Sequence, residues 1–374
     1  MRFRLAAALF LFPILALAQA LQPPAVVGRA WIVADLTSGQ LLATEKPDER
    51  MEPASLTKLM TAYVVFGALK EKKIALDQQV VVSETARRAP GSRMFIEPRR
   101  PVSVEELIRG MVVQSGNDAC IALAEHIAGS EEAFVQRMNR EAERLGLKGT
   151  KFMNASGLPD PQHFSTARDL YLLAAALIRD FPAEYATNYS QKEFRYNNIT
   201  QPNRNRLLWL DPTVDGLKTG YTEAAGYCLI SSSKRGPRRV LAVLLGSTSE
   251  AARAQESQKL LNWGFQAFDA VRLYGASQTV KEIELWKGTT DKLSAGFRSD
   301  LVVTVPKGQA DKVKAELLAR SRLLAPVAEG QQVGVVRVTV DGKTLGEYPV
   351  LALQAVPAAG VFGRAWDTLR LWVK

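Results

Sequence analysis

The sequence predicts a mixed α/β domain built on an antiparallel sheet flanked by helices, then a small β-rich domain, then a C-terminal amphipathic helix. Three observations carry this. Apolar hairpin-like runs open the chain at 30–44 and return at 226–245, with helical periodicity filling the interval up to about 179. Near Asp269 the pattern changes to short β-type runs separated by turns. From Ala358 onward, apolar side chains recur on one helical face.

The first segment, residues 1–20, has the form of a secretory signal peptide: Met1-Arg2-Phe3-Arg4, an apolar run to Leu17, and the small-x-small triplet Ala18-Gln19-Ala20. An uncleaved anchor is the competing reading, but the run is short for a span and Pro13 interrupts it. The mature chain is therefore expected to begin near Leu21, outside the cytoplasm. Residues 21–268 form the first domain. Ala30 to Asp35 reads as a strand, Ser38-Gly39 as a hairpin turn and Leu41 to Thr44 as the partner strand. Pro53 suits the first turn of a helix that runs on through Leu59, Met60 and Ala62. Helices are then predicted at 103–111, where Ser103-x-x-Glu106 resembles a capping box, and at 117–128, 131–145 and 167–179. Strand runs at 226–231 and 240–245 precede a helix at 251–268 that should pack on the sheet.

Residues 269–356 read as the β-rich domain, with strand runs at 280–286, 301–305, 332–341 and 348–353 and one short helical pattern at 310–318. It carries no titratable cluster, so a supporting role as stalk or platform is expected. In 357–374, Val361, Phe362, Ala365, Trp366, Leu369 and Val373 share a helical face, while Arg364, Asp367, Arg370 and Lys374 occupy the rest. Such a helix lies in a membrane interface and is too short to span a bilayer; docking on the protein's own surface is the competing reading.

The chain has 374 residues and a net charge of +10, without any basic-aromatic nucleic-acid motif; with export, this excludes nucleic acid as partner. The charge suits an anionic membrane surface or substrates that end in carboxylates. Cys120 and Cys228 both sit in apolar runs and read as two separate buried thiols. With two histidines in all, a Cys/His metal site or a Ser-His-Asp triad has little to build on, and no cofactor is called for.

The chemistry points to Ser55-Leu56-Thr57-Lys58. Residues three apart at a helix start share a face, so the Ser55 hydroxyl lies beside the Lys58 ammonium. A lysine whose pKa is lowered by burial or nearby positive charge can take the serine's proton, and the helix N-terminus favours a developing oxyanion. Alone, Ser-x-x-Lys is commonplace on protein surfaces. Ser115-Gly116-Asn117 at a helix start and Lys218-Thr219-Gly220 beside an edge strand change its weight. In that order the three motifs form the signature set of serine penicillin-binding proteins and β-lactamases. The longer words Gln114-Ser115-Gly116-Asn117-Asp118-Ala119-Cys120, His163-Phe164-Ser165-Thr166-Ala167-Arg168-Asp169-Leu170 and Val214-Asp215-Gly216-Leu217-Lys218-Thr219-Gly220-Tyr221-Thr222 resemble the low-molecular-mass D-alanyl-D-alanine carboxypeptidases, from about Val27 to the C-terminus.

This resemblance implies a serine β-lactamase/transpeptidase-like fold and a periplasmic enzyme that removes the terminal D-alanine from peptidoglycan pentapeptides. Ser55 is the implied nucleophile, Lys58 the general base and Ser115 the proton donor to the leaving amine. Lys218 is expected to repel charge from Lys58 and to orient Ser115, with Asn117 bonding Lys58 and the substrate amide. The implied oxyanion hole is the backbone N–H of Ser55 and Tyr221; some relatives carry histidine at the latter position. Thr219, with Arg253 and Arg204, is a candidate to receive the substrate's terminal carboxylate, and Lys218 and Gly220 of the same motif are implied to bind substrate. His163 is expected to order its loop. Glu97 precedes the second motif, so it reads as structural and not as a deacylating glutamate. β-Lactams are implied inhibitors, the inner-membrane surface a partner of the terminal helix, and cell-wall proteins partners of the β-rich domain. D,D-endopeptidase or β-lactamase activity, or a scaffold role, are the alternatives.

Overall fold

The computed structural model describes residues 21–319 and 323–360. The predicted signal segment and the apolar face from Val361 onward lie outside them.

The first sheet runs in the order Gln40–Glu45, Ala30–Asp35, Arg238–Ser247, Gly226–Arg235, Val214–Thr222, with every neighbouring pair antiparallel. Its central strands are covered on both faces, and their period of two sorts side chains between two cores. Ile32, Ala34, Leu241, Val243 and Leu245 face the helical body, whereas Trp31, Val33, Val240, Ala242 and Leu244 face the helix Glu250–Gln266. The helical body surrounds Lys58–Lys70, which is buried around most of its circumference and so has no single apolar stripe. Around it pack Val104–Val112, Asn117–Ala128, Glu131–Arg144 and Ala167–Asp180. Local chemistry fixes their ends. The Ser103–Glu106 capping box is formed, and Ser130, Thr166 and Ser249 each accept a first-turn N–H. Gly129 and Gly146 end two of the helices at φ of +82° and +74°.

Among the described residues the second body is β-structured apart from one 3-10 turn, Ala310–Lys312. Its six-stranded sheet runs Val313–Ala319, Gln332–Val340, Lys343–Ala352, Lys292–Gly296, Thr279–Trp286, Leu323–Leu324, and Phe268–Tyr274 pairs separately with Leu301–Pro306. The helix expected at 310–318 is therefore corrected: Val313–Ala319 is a strand, antiparallel to Gln332–Val340. Val313 and Leu317 both pack on the core, and a four-residue spacing puts two side chains on one face of a helix or of a strand alike. The helix expected from 357 does not begin there. Ala358 bridges Gly288, and Ala359 N donates to Lys287 O at 2.8 Å, so these residues are extended.

Thr304 joins the two bodies. Its hydroxyl, 3 % exposed as a residue, donates to Asp35 Oδ2 at 3.0 Å and shares a hydrogen bond with Ser38 Oγ at 2.7 Å. Its backbone N–H donates to Gln40 Oε1 at 2.6 Å. Among the described residues no helix is long and apolar enough to cross a membrane.

Candidate active site

Ser55 lies on a 3-10 turn, Ala54–Thr57, which leads directly into the helix Lys58–Lys70. The predicted α-helical start is thus a tighter one. In a 3-10 turn side chains three apart eclipse, which sets Lys58 Nζ 2.9 Å from Ser55 Oγ. Ala54 holds a left-handed φ of +47°, a region unfavourable for a residue with a Cβ. Packing imposes it. Gly157 lies so close that a Cβ there would stand 1.8 Å from Ala54 O, and one on Gly220 would stand 3.1 Å from Pro53 O. His163 braces the same turn, with its Nε2 2.9 Å from Thr57 Oγ1; burial pushes its pKa down to about 4, so the ring is neutral.

Lys58 is 1 % exposed, and its ammonium meets three acceptors: Ser55 Oγ, Asn117 Oδ1 at 2.7 Å and Ser156 O at 2.6 Å. The Asn117 amide is oriented by its other end, since Nδ2 donates to Pro90 O at 2.7 Å. Asn117 Oδ1 and Ser156 O can only accept. When Lys58 is neutral its two protons go to them, and its lone pair faces Ser55 Oγ. Burial, with the Arg204 charge adding to it, pushes the Lys58 pKa down to about 8 despite the opposing Asp118.

Lys218, 3 % exposed, has its pKa held well below the usual lysine value, first by burial and then by the charges of Lys58, Arg204 and Arg253. Lys58 and Lys218 are two buried ammoniums of one site, and the proximity of like charge disfavours protonating both at once. Lys218 Nζ donates to Thr219 O at 3.2 Å. Ser115, at φ +66° and 2 % exposed, leaves its Oγ without a hydrogen-bond partner among the described residues.

Val214–Thr222 is the outer strand of its sheet, and it brings Lys218, Thr219 and Gly220 against the Ser55 turn. Tyr221 follows on the same strand, 52 % exposed, its ring 4.4 Å from that of Tyr227. Arg253 is buried on the helix Glu250–Gln266 and donates to Arg204 O at 3.4 Å, while Arg204 donates to Gln114 O at 3.4 Å. Both arginines therefore gather at the Ser115 and Lys218 side. Glu97 is exposed and pairs with Arg100 at 3.9 Å, a surface role.

Two residues with large effects on the site went unread in the sequence. Asp118 accepts from the backbone N–H groups of Met94, Phe95, Ile96 and Ala119, fixing the loop beside Asn117. Asn154 accepts from Ser156, Gly157 and Leu158, shaping the turn that delivers Ser156 O to Lys58. Asn-x-Ser-Gly is a turn signal and could have marked the second. Cys120 and Cys228 are free, with burial pushing the thiols up to about 12 and about 11. Among the described residues no cluster of His, Cys, Asp and Glu could hold a metal ion.

The sequence profile of the D-alanyl-D-alanine carboxypeptidase family matches residues 17–249, and that of the penicillin-binding protein 5 C-terminal domain matches 268–358. D-alanyl-D-alanine carboxypeptidase DacC of Escherichia coli (strain K12) is 44 % identical over 369 residues, spanning 96 % of this chain and 92 % of its own. The structure of penicillin-binding protein 5 from Haemophilus influenzae superposes with a TM-score of 0.85 at 40 % identity, covering 90 % of this chain and 99 % of that one. Penicillin-binding protein D2 from Listeria monocytogenes, in its ampicillin-bound form, matches with a TM-score of 0.60 at 32 % identity over 66 % of this chain and all of that one.

Proposed function

This chain belongs to the D-alanyl-D-alanine carboxypeptidase family, and we propose that it is a serine-type D-Ala-D-Ala carboxypeptidase that trims peptidoglycan pentapeptides to tetrapeptides. Ser55 Oγ attacks the carbonyl between the two terminal D-alanines while neutral Lys58 takes its proton. The backbone N–H groups of Ser55 and Tyr221 receive the oxyanion. As the tetrahedral intermediate collapses, Ser115 passes a proton to the departing D-alanine amine and takes in turn the proton held by Lys58, which is left neutral again. Water then attacks the acyl ester with Lys58 again as base, freeing Ser55. Lys218, Thr219, Arg204 and Arg253 hold the substrate's terminal carboxylate, and Gly220 lets the strand approach it closely. A β-lactam enters the same path and leaves Ser55 acylated.

The observation that carries this reading is the hydrogen-bond set of Lys58. Two acceptor-only partners orient its lone pair at Ser55, and burial brings its pKa to about 8. The test is incubation with a synthetic stem pentapeptide, followed by assay of free D-alanine and the mass of the product. One D-alanine per tetrapeptide is expected; an unchanged pentapeptide, or cleavage at another bond, contradicts the proposal.

The leader pattern of residues 1–20 supports export to the periplasm, and the amphipathic pattern from 358 with the +10 charge supports peripheral attachment to the anionic outer face of the inner membrane. The β-rich body, with no titratable cluster of its own, would serve as the stalk and offer a surface to cell-wall proteins.

A further inference from the structure

The Ser156 carbonyl that accepts from Lys58 belongs to an irregular stretch, residues 152–158, outside any helix or strand. A backbone oxygen there is fixed only as well as the loop that carries it. Asn154 sets the turn from within, but bonds inside a loop cannot place it against the rest of the protein. Asn139, Thr61 and Glu131 do that from neighbouring helices. Asn139 Oδ1 accepts from Phe152 N and its Nδ2 donates to Phe152 O, both at 2.9 Å. Thr61 Oγ1 donates to Ala155 O at 2.6 Å, and Glu131 Oε1 accepts from Ala155 N at 2.9 Å. Ala155 is thus gripped at both of its backbone groups, one residue before Ser156 O.

Glu131 differs from an ordinary acid at a helix start. It opens Glu131–Arg144 behind the Ser130 cap, where a carboxylate favours the helix dipole without leaving water. Glu132 takes that role, since it stays exposed in the same turn. Glu131 is instead partly buried, drawn toward a backbone N–H that lies 24 residues further along the chain. Burial, with the charges of Glu132 and Glu125 adding to it, pushes its pKa up against the opposing Ala155 N–H. The fold therefore withdraws a charge from water to hold one loop amide, which helix capping alone does not require.

We propose that Glu131 is a positioning residue for acyl transfer: by holding the Ala155 N–H it fixes the Ser156 carbonyl, and so keeps the Lys58 lone pair on Ser55 Oγ. This rests on Lys58 acting as the base in the function proposed above. With the Ala155 N–H released, Asn139 and Thr61 still retain the loop, but Ser156 O gains freedom. Two effects on Lys58 follow. Its ammonium loses part of an acceptor that favours the charged form, so its pKa falls. Its neutral amine loses one of the two acceptors that orient it, so the lone pair points at Ser55 for less of the time.

The test is the second-order rate of acylation by benzylpenicillin between pH 6 and 9, measured on the full chain and expressed per penicillin-labelled Ser55. Methionine matches glutamate in length but has no acceptor oxygen, whereas glutamine keeps one. Glu131→Met, with Glu131→Ala as a second removal of the acceptor, should lower the plateau rate about tenfold. The midpoint should move to lower pH by about half a unit, a fraction of the worth of a whole hydrogen bond to an ammonium. Glu131→Gln should stay within about twofold of the wild type. Glu132→Met, which removes the same charge from the same helical turn, should match the wild type. Misfolded protein lowers the number of labelled sites without moving the midpoint, so it does not imitate the expected result. Glu131→Met and Glu131→Ala profiles that superpose on the wild type overturn the positioning role, as does Glu131→Gln falling as far as Glu131→Met. A flat profile of the wild type overturns the lysine-base reading as well.

Discussion

In the proposed mechanism Lys58 sets the chemistry, because its surroundings dictate where its protons can go. Asn117 Oδ1 and Ser156 O accept two of them, and the third position belongs to Ser55. This arrangement predicts the pH dependence of acylation. The base must be neutral, and burial places its pKa at about 8. The neutral fraction, and with it the second-order rate of acylation by penicillin, should therefore rise roughly tenfold per pH unit below that value and level off above it. Stopped-flow acylation from pH 6 to 9 reads this directly, and a flat profile contradicts it. Lys58→Ala should lose roughly 10²–10⁴-fold in acylation rate, and Lys58→Arg should not recover it, because a guanidinium stays protonated. Near-normal labelling of the arginine variant by fluorescent penicillin would remove lysine as the base. The three motifs made this site legible in the sequence, since each acts through side chains. Ser156 acts through a carbonyl oxygen, which no residue type announces, and Asp118 acts at one remove through the amides of 94–96.

Helix ends and strand pairing govern the elements. The helix Lys58–Lys70 closes with Lys73 N donating to Ala68 O and Lys72 N to Leu69 O, both at 2.9 Å, which leaves Lys72 at φ +56°. The corresponding position after Glu131–Arg144 is Gly146. Lysine has a Cβ to accommodate in that conformation and glycine has none. Lys72→Gly should therefore stabilise the protein by about 1 kcal/mol, and Gly146→Ala should destabilise it by a similar amount. Urea unfolding of the three proteins checks both, and a Lys72→Gly midpoint below that of the wild type contradicts the argument. Caps such as Ser103 with Glu106 are written in adjacent residues, so these helices were readable. The strand Val313–Ala319 was not. Its stretch Lys314-Ala315-Glu316-Leu317-Leu318 favours a helix locally, and only the distant partner Gln332–Val340 makes it a strand.

At the scale of the molecule, the two bodies are held where Thr304 meets Asp35, Ser38 and Gln40. Thr304→Val keeps the shape but removes the hydroxyl that donates to the fully buried Asp35, whose carboxylate retains Arg238 at 2.6 Å. The β-rich body should lose hydrogen-exchange protection along Phe268–Tyr274 and Leu301–Pro306, while penicillin acylation stays unchanged. Unaltered protection there would show that the contact does not hold the bodies together. The change in character near Asp269 was legible as a shift in periodicity, but the order of the six strands was not, because short runs of similar composition do not specify partners. The proposed attachment also belongs to this scale. Deleting residues 358–374 should release the enzyme from anionic vesicles and leave its action on a soluble pentapeptide intact. A truncated protein that still sediments with vesicles contradicts the anchor.

The measurement that bears most directly on the central claim is peptide mapping by mass spectrometry after brief exposure to benzylpenicillin. A single penicilloyl adduct on Ser55, absent from Ser55→Ala, is the expected result. An adduct on any other residue, or a Ser55→Ala protein that is still acylated, contradicts the assignment of Ser55 and Lys58 as the nucleophile and its base.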